Sequence, residues 1–262
     1  MKNKKYAWIN AIFLAFTLIV NTLGAIGAIN GLSQKQISDM FPTLITPNPP
    51  TFSIWSIIYS LLITSVIMMI IFKKDFYYQR ALNQLSFLFP LSCLLNIAWI
   101  VSFSYVQIEL SVLFIFVLVI TLSLICKKLL QIQEGSYWLL PLTFGLYTGW
   151  LFIATVVNIS VALINLEWNG FGITNETWTT IILILSVLLV IGVQSNNKNA
   201  VFALPVAWAY WGIYRSLGIS EVFIGQYDFL QLTALAGMFI LISSAAIQFY
   251  RNHFSLLPSL DN

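Results

Sequence analysis

The side chains of this sequence that could bind a ligand are mainly aromatic. The chain holds 9 Trp, 11 Tyr and 20 Phe residues, which together make up 15% of its length. Three sets of residues have the spacing that places side chains on one face of a helix: Phe52, Trp55 and Tyr59; Asn96, Trp99 and Phe103; and Trp150, Ala154 and Asn158. Flat rings stack on flat, π-rich ligands, but they also fill ordinary helical cores. The spacing alone leaves both interpretations open.

Side chains suited to metal, phosphate or proton chemistry are scarce. His253 is the only histidine and lies in the C-terminal tail, so no histidine is expected to bind a haem iron among the helices. The sequence has no Cys/His cluster of the kind that binds zinc and no Gly-rich phosphate loop. Cys93 and Cys126 are predicted to be free, buried thiols. We therefore assign no catalytic residue, expect no metal site and expect no resident cofactor.

The elements that position the aromatic residues are predicted to be transmembrane helices. Hydrophobic residues make up 59% of the chain and charged residues only 8%, whereas a soluble domain usually has about 25% charged residues. Apolar runs of about 20 residues can cross the hydrocarbon layer, where the backbone must satisfy its own hydrogen bonds as a helix. The predicted fold class is an all-α, polytopic transmembrane bundle of about eight helices. Its predicted segments are residues 7–29, 52–72, 84–105, 110–126, 137–164, 178–194, 200–217 and 229–250.

Two asparagines indicate which helix faces point into the bundle. Asn96 and Asn158 need partners, because an unpaired amide in hydrocarbon is costly, so their faces should point inward and bring Trp99 and Trp150 with them. Gly145 and Gly149 form a GxxxG pair, which lets a neighbouring helix approach closely. The helix cores contain no Asp, Glu or Lys, and this disfavours proton coupling through a buried acid.

The distribution of basic residues predicts the orientation. Of 12 Lys and Arg residues, all but Lys35 and Arg215 fall on the side of the N-terminus if eight helices alternate across the membrane. Basic residues collect on the cytoplasmic side, so both termini are predicted to be cytoplasmic. The alternative is that the first segment is a cleaved signal peptide, which would leave seven helices.

The longest loop on the opposite side is residues 30–51. Ser33 is placed to cap a short helix over residues 34–40, because serine side chains satisfy free N–H groups at helix starts. The prolines that follow, Pro47, Pro49 and Pro50, stiffen the chain. The loop is interpreted either as a semi-rigid lid or as a plain connector.

Three motifs resemble those of the tryptophan-rich sensory protein, or translocator protein, family (TspO/MBR). Pro47 to Tyr59 is similar to the proline, Phe and Trp-x-x-x-Tyr pattern of the family's second helix, and Leu95 to Trp99 to the Asn-x-x-Trp of its third. Trp150 to Asn158 resembles the Trp-x-x-x-Ala-x-x-x-Asn of its fifth helix. The family often has another Trp before the second helix, and this chain has none between Trp8 and Trp55.

The resemblance covers residues 7–165 and implies a division of the chain. Residues 1–165 would form a five-helix bundle like that of the family, and residues 166–262 would add three transmembrane helices, as in longer bacterial members. The implied localisation is the bacterial plasma membrane.

The resemblance also implies a function. The protein would be a membrane receptor or sensor for a flat hydrophobic ligand, a porphyrin or related tetrapyrrole. A permease for a small apolar solute and an enzyme that degrades porphyrin through a Trp stay open as alternatives. The expected partners are membrane lipid and a porphyrin-like molecule but no nucleic acid, and a homodimer stays open. The implied ligand-binding residues are Phe52, Trp55, Tyr59, Asn96, Trp99, Trp150, Ala154 and Asn158.

Overall fold

The computed structural model describes residues 2–134, 137–219 and 225–259, and within them the chain is helical and has no strand. The predicted all-α class is therefore confirmed. Two short 3₁₀ turns, Pro49–Ser53 and Gly170–Gly172, accompany the α-helices. The α-helices of the described residues are α1 (Lys2–Ala25), α2 (Gln34–Met40), α3 (Ile54–Ile71), α4 (Phe76–Leu85), α5 (Leu88–Ser104), α6 (Ile108–Leu130), α7 (Leu139–Asn165), α8 (Asn175–Asn197), α9 (Ala203–Ile219) and α10 (Asp228–Arg251).

The protein is a multi-pass membrane protein, but its number of spans differs from the predicted number. In the described residues, six helices are long and apolar enough to cross a membrane: α1, α3 with the turn before it, α6, α7, α8 and α10. The pair α4 and α5, bent by 50° at its break, would make a seventh span. Helix α9 has 17 residues, at the lower limit of a spanning helix. The predicted count of about eight is therefore not confirmed.

Helix α7 lies at the centre of the bundle. Within its apolar stretch 56% is buried inside the protein, compared with 28–39% for the other five long spans. It packs against α6, α3 and α9, while α9 and α8 pack on α10. Helix α7 therefore joins the N-terminal helices to the C-terminal ones.

The contact between α7 and α9 depends on glycine. A Cβ atom at Gly149 would lie 2.1 Å from the Phe202 carbonyl oxygen, and one at Gly145 would lie 2.5 Å from Asn199 Oδ1. The Asn199 side chain donates from Nδ2 to the Pro141 carbonyl over 2.8 Å and accepts from the Val201 N–H over 3.1 Å. The predicted close approach at the GxxxG pair is confirmed, and the neighbour is the turn of residues 199–202, which leads directly into α9.

Helix α4 is an element that the sequence analysis did not predict. It begins after Asp75, whose side chain accepts from the Tyr78 N–H over 3.2 Å. It buries one face, which includes Tyr77, Tyr78 and Leu82, while part of the other face is exposed. A second hydrogen bond to Asp75, donated by the Tyr137 hydroxyl over 2.8 Å, raises the pKa of Tyr137. An amphipathic helix of ten residues has no long apolar run, so the search for spanning segments passed over it.

The loop of residues 30–51, which carries α2, is more ordered than a plain connector. Ser33 caps α2 as predicted, and it does so in a capping box with Gln36: the Gln36 N–H donates to Ser33 Oγ and the Ser33 N–H donates to Gln36 Oε1. Ile37 is fully buried and belongs to a small core cluster with Ile108 and Val161. The two buried thiols, Cys93 and Cys126, are free as predicted.

Candidate functional site

A cavity of about 510 Å³ lies between α3, α5 and α7, under the loop that carries α2. Six of the eight residues proposed from the sequence line it: Phe52, Trp55, Trp99, Trp150, Ala154 and Asn158. Tyr59 and Asn96 are not part of its lining. The three motifs, far apart in the sequence, therefore border one space.

Trp55 is the centre of the aromatic cluster at this cavity. Its ring centroid lies 6.2 Å from that of Trp150 at an interplanar angle of 87°, and 6.4 Å from that of Trp99 at 32°. It also stacks on Tyr59, with centroids 5.0 Å apart. Phe52 meets Trp150 edge-on at 5.9 Å. Edge-to-face and offset contacts at these distances are favourable, so the rings hold one another in place.

The tryptophans present ring carbon to the cavity. The indole Nε1 atoms of Trp99 and Trp150 are covered by protein atoms, and neither has a hydrogen-bond partner among the described residues. Since the two nitrogens face protein, the part of each indole that borders the cavity is apolar. Ile153, Val157 and Val161 extend the apolar wall along α7.

A chain of hydrogen bonds lies next to the aromatic cluster and joins four helices. The Tyr59 hydroxyl donates to Asn21 Oδ1 over 2.7 Å, and Asn21 Nδ2 donates to Asn96 Oδ1 over 2.6 Å. Asn96 Nδ2 in turn donates to the Tyr147 hydroxyl over 3.0 Å. These contacts link α1, α3, α5 and α7. The structure therefore places Tyr59 and Asn96 among the groups that hold the helices around the cavity.

Asn158 has both a structural and a lining position. Its Oδ1 accepts from Ser111 Oγ over 3.0 Å, which ties α7 to α6, and the residue also borders the cavity. The inward orientation predicted for Asn96 and Asn158 agrees with their burial, since they are 0% and 5% exposed.

The cavity has a polar roof over its apolar walls. Gln34, Lys35, Ser38 and Asp39 of α2 line its upper part. Lys35 and Asp39, which are one helical turn apart, form an ion pair with 2.5 Å between Lys35 Nζ and Asp39 Oδ2, and both side chains are mostly exposed. Exposed pairs of this kind contribute little to stability, so this pair is not what holds the roof in place. Because the loop covers the cavity, its position agrees with the interpretation as a lid and not with that as a plain connector.

Sequence reasoning did not find several lining residues. Ile153, Val157 and Val161 follow helical spacing beside the proposed face of α7, a signal that the sequence contains. The residues of α2 and Ser216 of α9 come to the cavity through the tertiary fold, and no local pattern marks them. Within the described ranges, no group of three or more His, Cys, Asp or Glu residues could hold a metal ion.

The comparisons with known proteins gave one family. The sequence model of the family described as TSPO-like protein matches residues 7–247. That range contains all three motifs and continues beyond residue 165 through most of α10, whereas the motif resemblance ended before α8. The comparison with curated proteins found no match, and neither did the comparison with solved structures.

Proposed function

Because the chain belongs to the TSPO-like protein family, we propose that it is a membrane receptor or sensor that binds a flat hydrophobic ligand, a porphyrin or related tetrapyrrole. The observation that carries this proposal is the cavity between Trp55, Trp99 and Trp150. Its volume, about 510 Å³, falls in the range of small-molecule sites, which are mostly apolar with a few polar groups.

The ring geometry supports a flat ligand. Trp99 and Trp150 each border the cavity with ring carbon, and a second flat π-system can stack on such a surface in an offset arrangement. Each aromatic contact of this kind contributes about 0.5–1.5 kcal/mol beyond the burial of area. Ala154 leaves room beside Trp150, since a larger side chain at this lining position would reduce the space.

The lining residues also suggest that iron is unnecessary for binding. Among the described residues, no histidine, cysteine or methionine lines the cavity, so the walls that they form offer none of the usual axial ligands of haem. Protoporphyrin IX should therefore bind about as tightly as haem.

The test is a titration of the purified protein with protoporphyrin IX, followed by quenching of Trp fluorescence. The Ala154→Leu variant keeps all nine Trp residues and fills the cavity, so it should weaken binding at least tenfold. Ala246→Leu is the matched control, because Ala246 is exposed on α10. Absence of saturable quenching in the folded protein would refute the porphyrin proposal, and equal affinities of the two variants would refute the site.

The same reconstituted protein can separate the proposal from its alternatives. Ligand-dependent flux across proteoliposomes would indicate a permease, and loss of the porphyrin spectrum with time would indicate turnover by an enzyme. A receptor should bind without either effect.

We also propose that the protein lies in the bacterial plasma membrane with both termini cytoplasmic. The support is the distribution of Lys and Arg and its agreement with the positive-inside rule. This orientation requires an even number of spans, so α9 and the pair α4 and α5 would either both cross or both not cross. The distribution of Lys and Arg favours the first arrangement, because it assumes eight alternating spans. A reporter fused after α10 that is active only outside the cell would refute it.

A further inference from the structure

The segment of the lid that leads into α3 is attached to α9. The Asn48 N–H donates to the Gly212 carbonyl over 3.1 Å, and the Trp208 indole N–H donates to the Thr51 carbonyl over 2.9 Å. Both bonds join the lid backbone to a helix more than 150 positions later in the chain. Thr51 is only 1% exposed, although it lies in a loop.

A glycine on α9 makes this attachment close. A Cβ atom at Gly212 would lie 2.2 Å from Thr51 Oγ1 and 2.8 Å from the Cβ of Pro47. Any side chain at position 212 would therefore displace either the lid segment or α9. The spacing of Trp208 and Gly212, four residues apart, places them on one face of α9, and this face meets the lid.

The attached segment is stiff and borders the ligand cavity. Pro47 and Pro49 restrict the backbone and also line the cavity, while the Thr51 hydroxyl donates to Asn48 Oδ1 over 2.5 Å within the segment. The 3₁₀ turn Pro49–Ser53 continues directly into α3 and carries Phe52, another lining residue. A stiff segment held on one side by α9 transmits the position of that helix to the wall of the cavity.

We propose that Trp208 and Gly212 are positioning residues of the ligand site, which hold the lid closed and so set how fast a ligand enters and leaves. The C-terminal helices thereby act on a cavity that is built mainly from α3, α5 and α7. This inference rests on the proposed function only for the identity of the ligand, because the opening of the lid can be measured with no ligand present.

The experiment measures how fast a thiol reagent reaches the cavity of the full chain. Ala154→Cys places a thiol in the lining, and N-ethylmaleimide is the probe. The chain without this substitution gives the background from the buried Cys93 and Cys126. Adding Trp208→Phe removes the hydrogen bond to Thr51 and should speed labelling about two- to tenfold, the factor for one hydrogen bond of typical net strength.

Two substitutions serve as matched controls. Trp178→Phe changes an indole of α8 whose N–H donates to the Gly170 carbonyl over 2.7 Å, a hydrogen bond of the same kind outside the lid, and it should leave the labelling rate unchanged. Gly212→Ala should speed labelling at least as much as Trp208→Phe, whereas Gly192→Ala, with nothing within 4 Å of the added Cβ, should have no effect. Thermal unfolding and size-exclusion profiles identify any variant that has lost its fold.

The outcomes distinguish this inference from the proposed function. Labelling rates of Trp208→Phe and Gly212→Ala equal to those of their controls would overturn the positioning role, whatever the protein binds. Faster labelling in a protein that shows no porphyrin binding would support the positioning role and refute the ligand. If protoporphyrin IX does bind, its dissociation rate should rise in Trp208→Phe by the same factor as the labelling rate.

Discussion

Two faces of α7 have opposite properties. One face carries Trp150, Ala154 and Asn158 and borders a cavity of about 510 Å³. Another carries Gly145 and Gly149 and meets residues 199–202, which lead into α9, so closely that an added Cβ would lie 2.1–2.5 Å from their atoms. The aromatic side chains therefore surround open space, whereas the two glycines are in such close contact with the opposite segment that no space is left between them.

The difference follows from how each face meets its neighbours. Rigid rings that contact one another edge-on cannot collapse into the gaps between them, so a set of tryptophans can leave room for a ligand. Glycines let two backbones approach, and in a membrane such close packing is a main source of helix association. The aromatic face is therefore suited to binding and the glycine face to assembly, and the following substitutions test that assignment in order of expected effect.

The largest effect is expected on the glycine face. Gly149→Leu would force α7 and α9 apart, because the clash is with the Phe202 backbone and not with a side chain that can move. We expect a loss of about 3 kcal/mol or more, the upper part of the range for overpacked cores, and a fall in Tm of about 6 °C or more. Thermal unfolding in detergent is the measurement.

The control for that substitution is Gly192→Leu. Gly192 is an exposed glycine inside α8 whose added Cβ meets nothing within 4 Å, so leucine there should leave Tm unchanged or raise it slightly. Similar Tm values for the two leucine variants would show that the α7–α9 contact is looser than described.

A smaller loss is expected behind the aromatic face. Asn96→Leu removes the amide that bridges Asn21 and Tyr147, and it leaves their buried polar groups with fewer partners. Loss of such a partner costs about 1–3 kcal/mol, which should appear as a fall of a few degrees in Tm. Since Asn96 does not line the cavity, the affinity for protoporphyrin IX should change less than in Ala154→Leu. A variant with normal Tm but no binding would instead make Asn96 a ligand contact.

The smallest effect on stability, and one of opposite sign, is expected on the aromatic face itself. Ala154→Leu adds apolar volume to an open cavity, and filling a cavity commonly stabilises a protein by about 0.5–2 kcal/mol. The variant should therefore unfold at the same temperature as the parent or slightly higher, while its ligand affinity falls. A marked drop in Tm would mean that the space beside Ala154 is already filled and that both faces of α7 are close-packed.

Local patterns in the sequence predicted much of this arrangement. Ser33 marked the start of α2, the GxxxG pair marked a close contact, and helical spacing identified seven residues that line one cavity. Each of these features depends on neighbours within a few positions. The exact number of spans was harder to predict, because α9 is short and because Pro90, in the first turn of α5, is a signal of the break between α4 and α5 that the sequence analysis did not use.

The remaining features depend on contacts between distant segments. Nothing near Trp208 or Gly212 in the sequence indicates that they meet the proline segment, since that contact exists only after α7 and α9 have packed. The positions of Tyr59 and Asn96 likewise depend on Asn21 and Tyr147, which reach them from other helices. The division of the chain at residue 165 stays a prediction, and the contacts across it are among the closest in the bundle.

The glycine contact also gives the protein an order of assembly in time. Phe202 is translated 53 residues after Gly149, which at about 5–20 residues per second is a delay of roughly 3–10 s. During that interval α7 has emerged without the helix that covers its bare backbone, and the lid has no anchor. A nascent chain of this protein therefore has to keep α7 shielded, by lipid or by the insertion machinery, until α9 arrives and the ligand site is completed last.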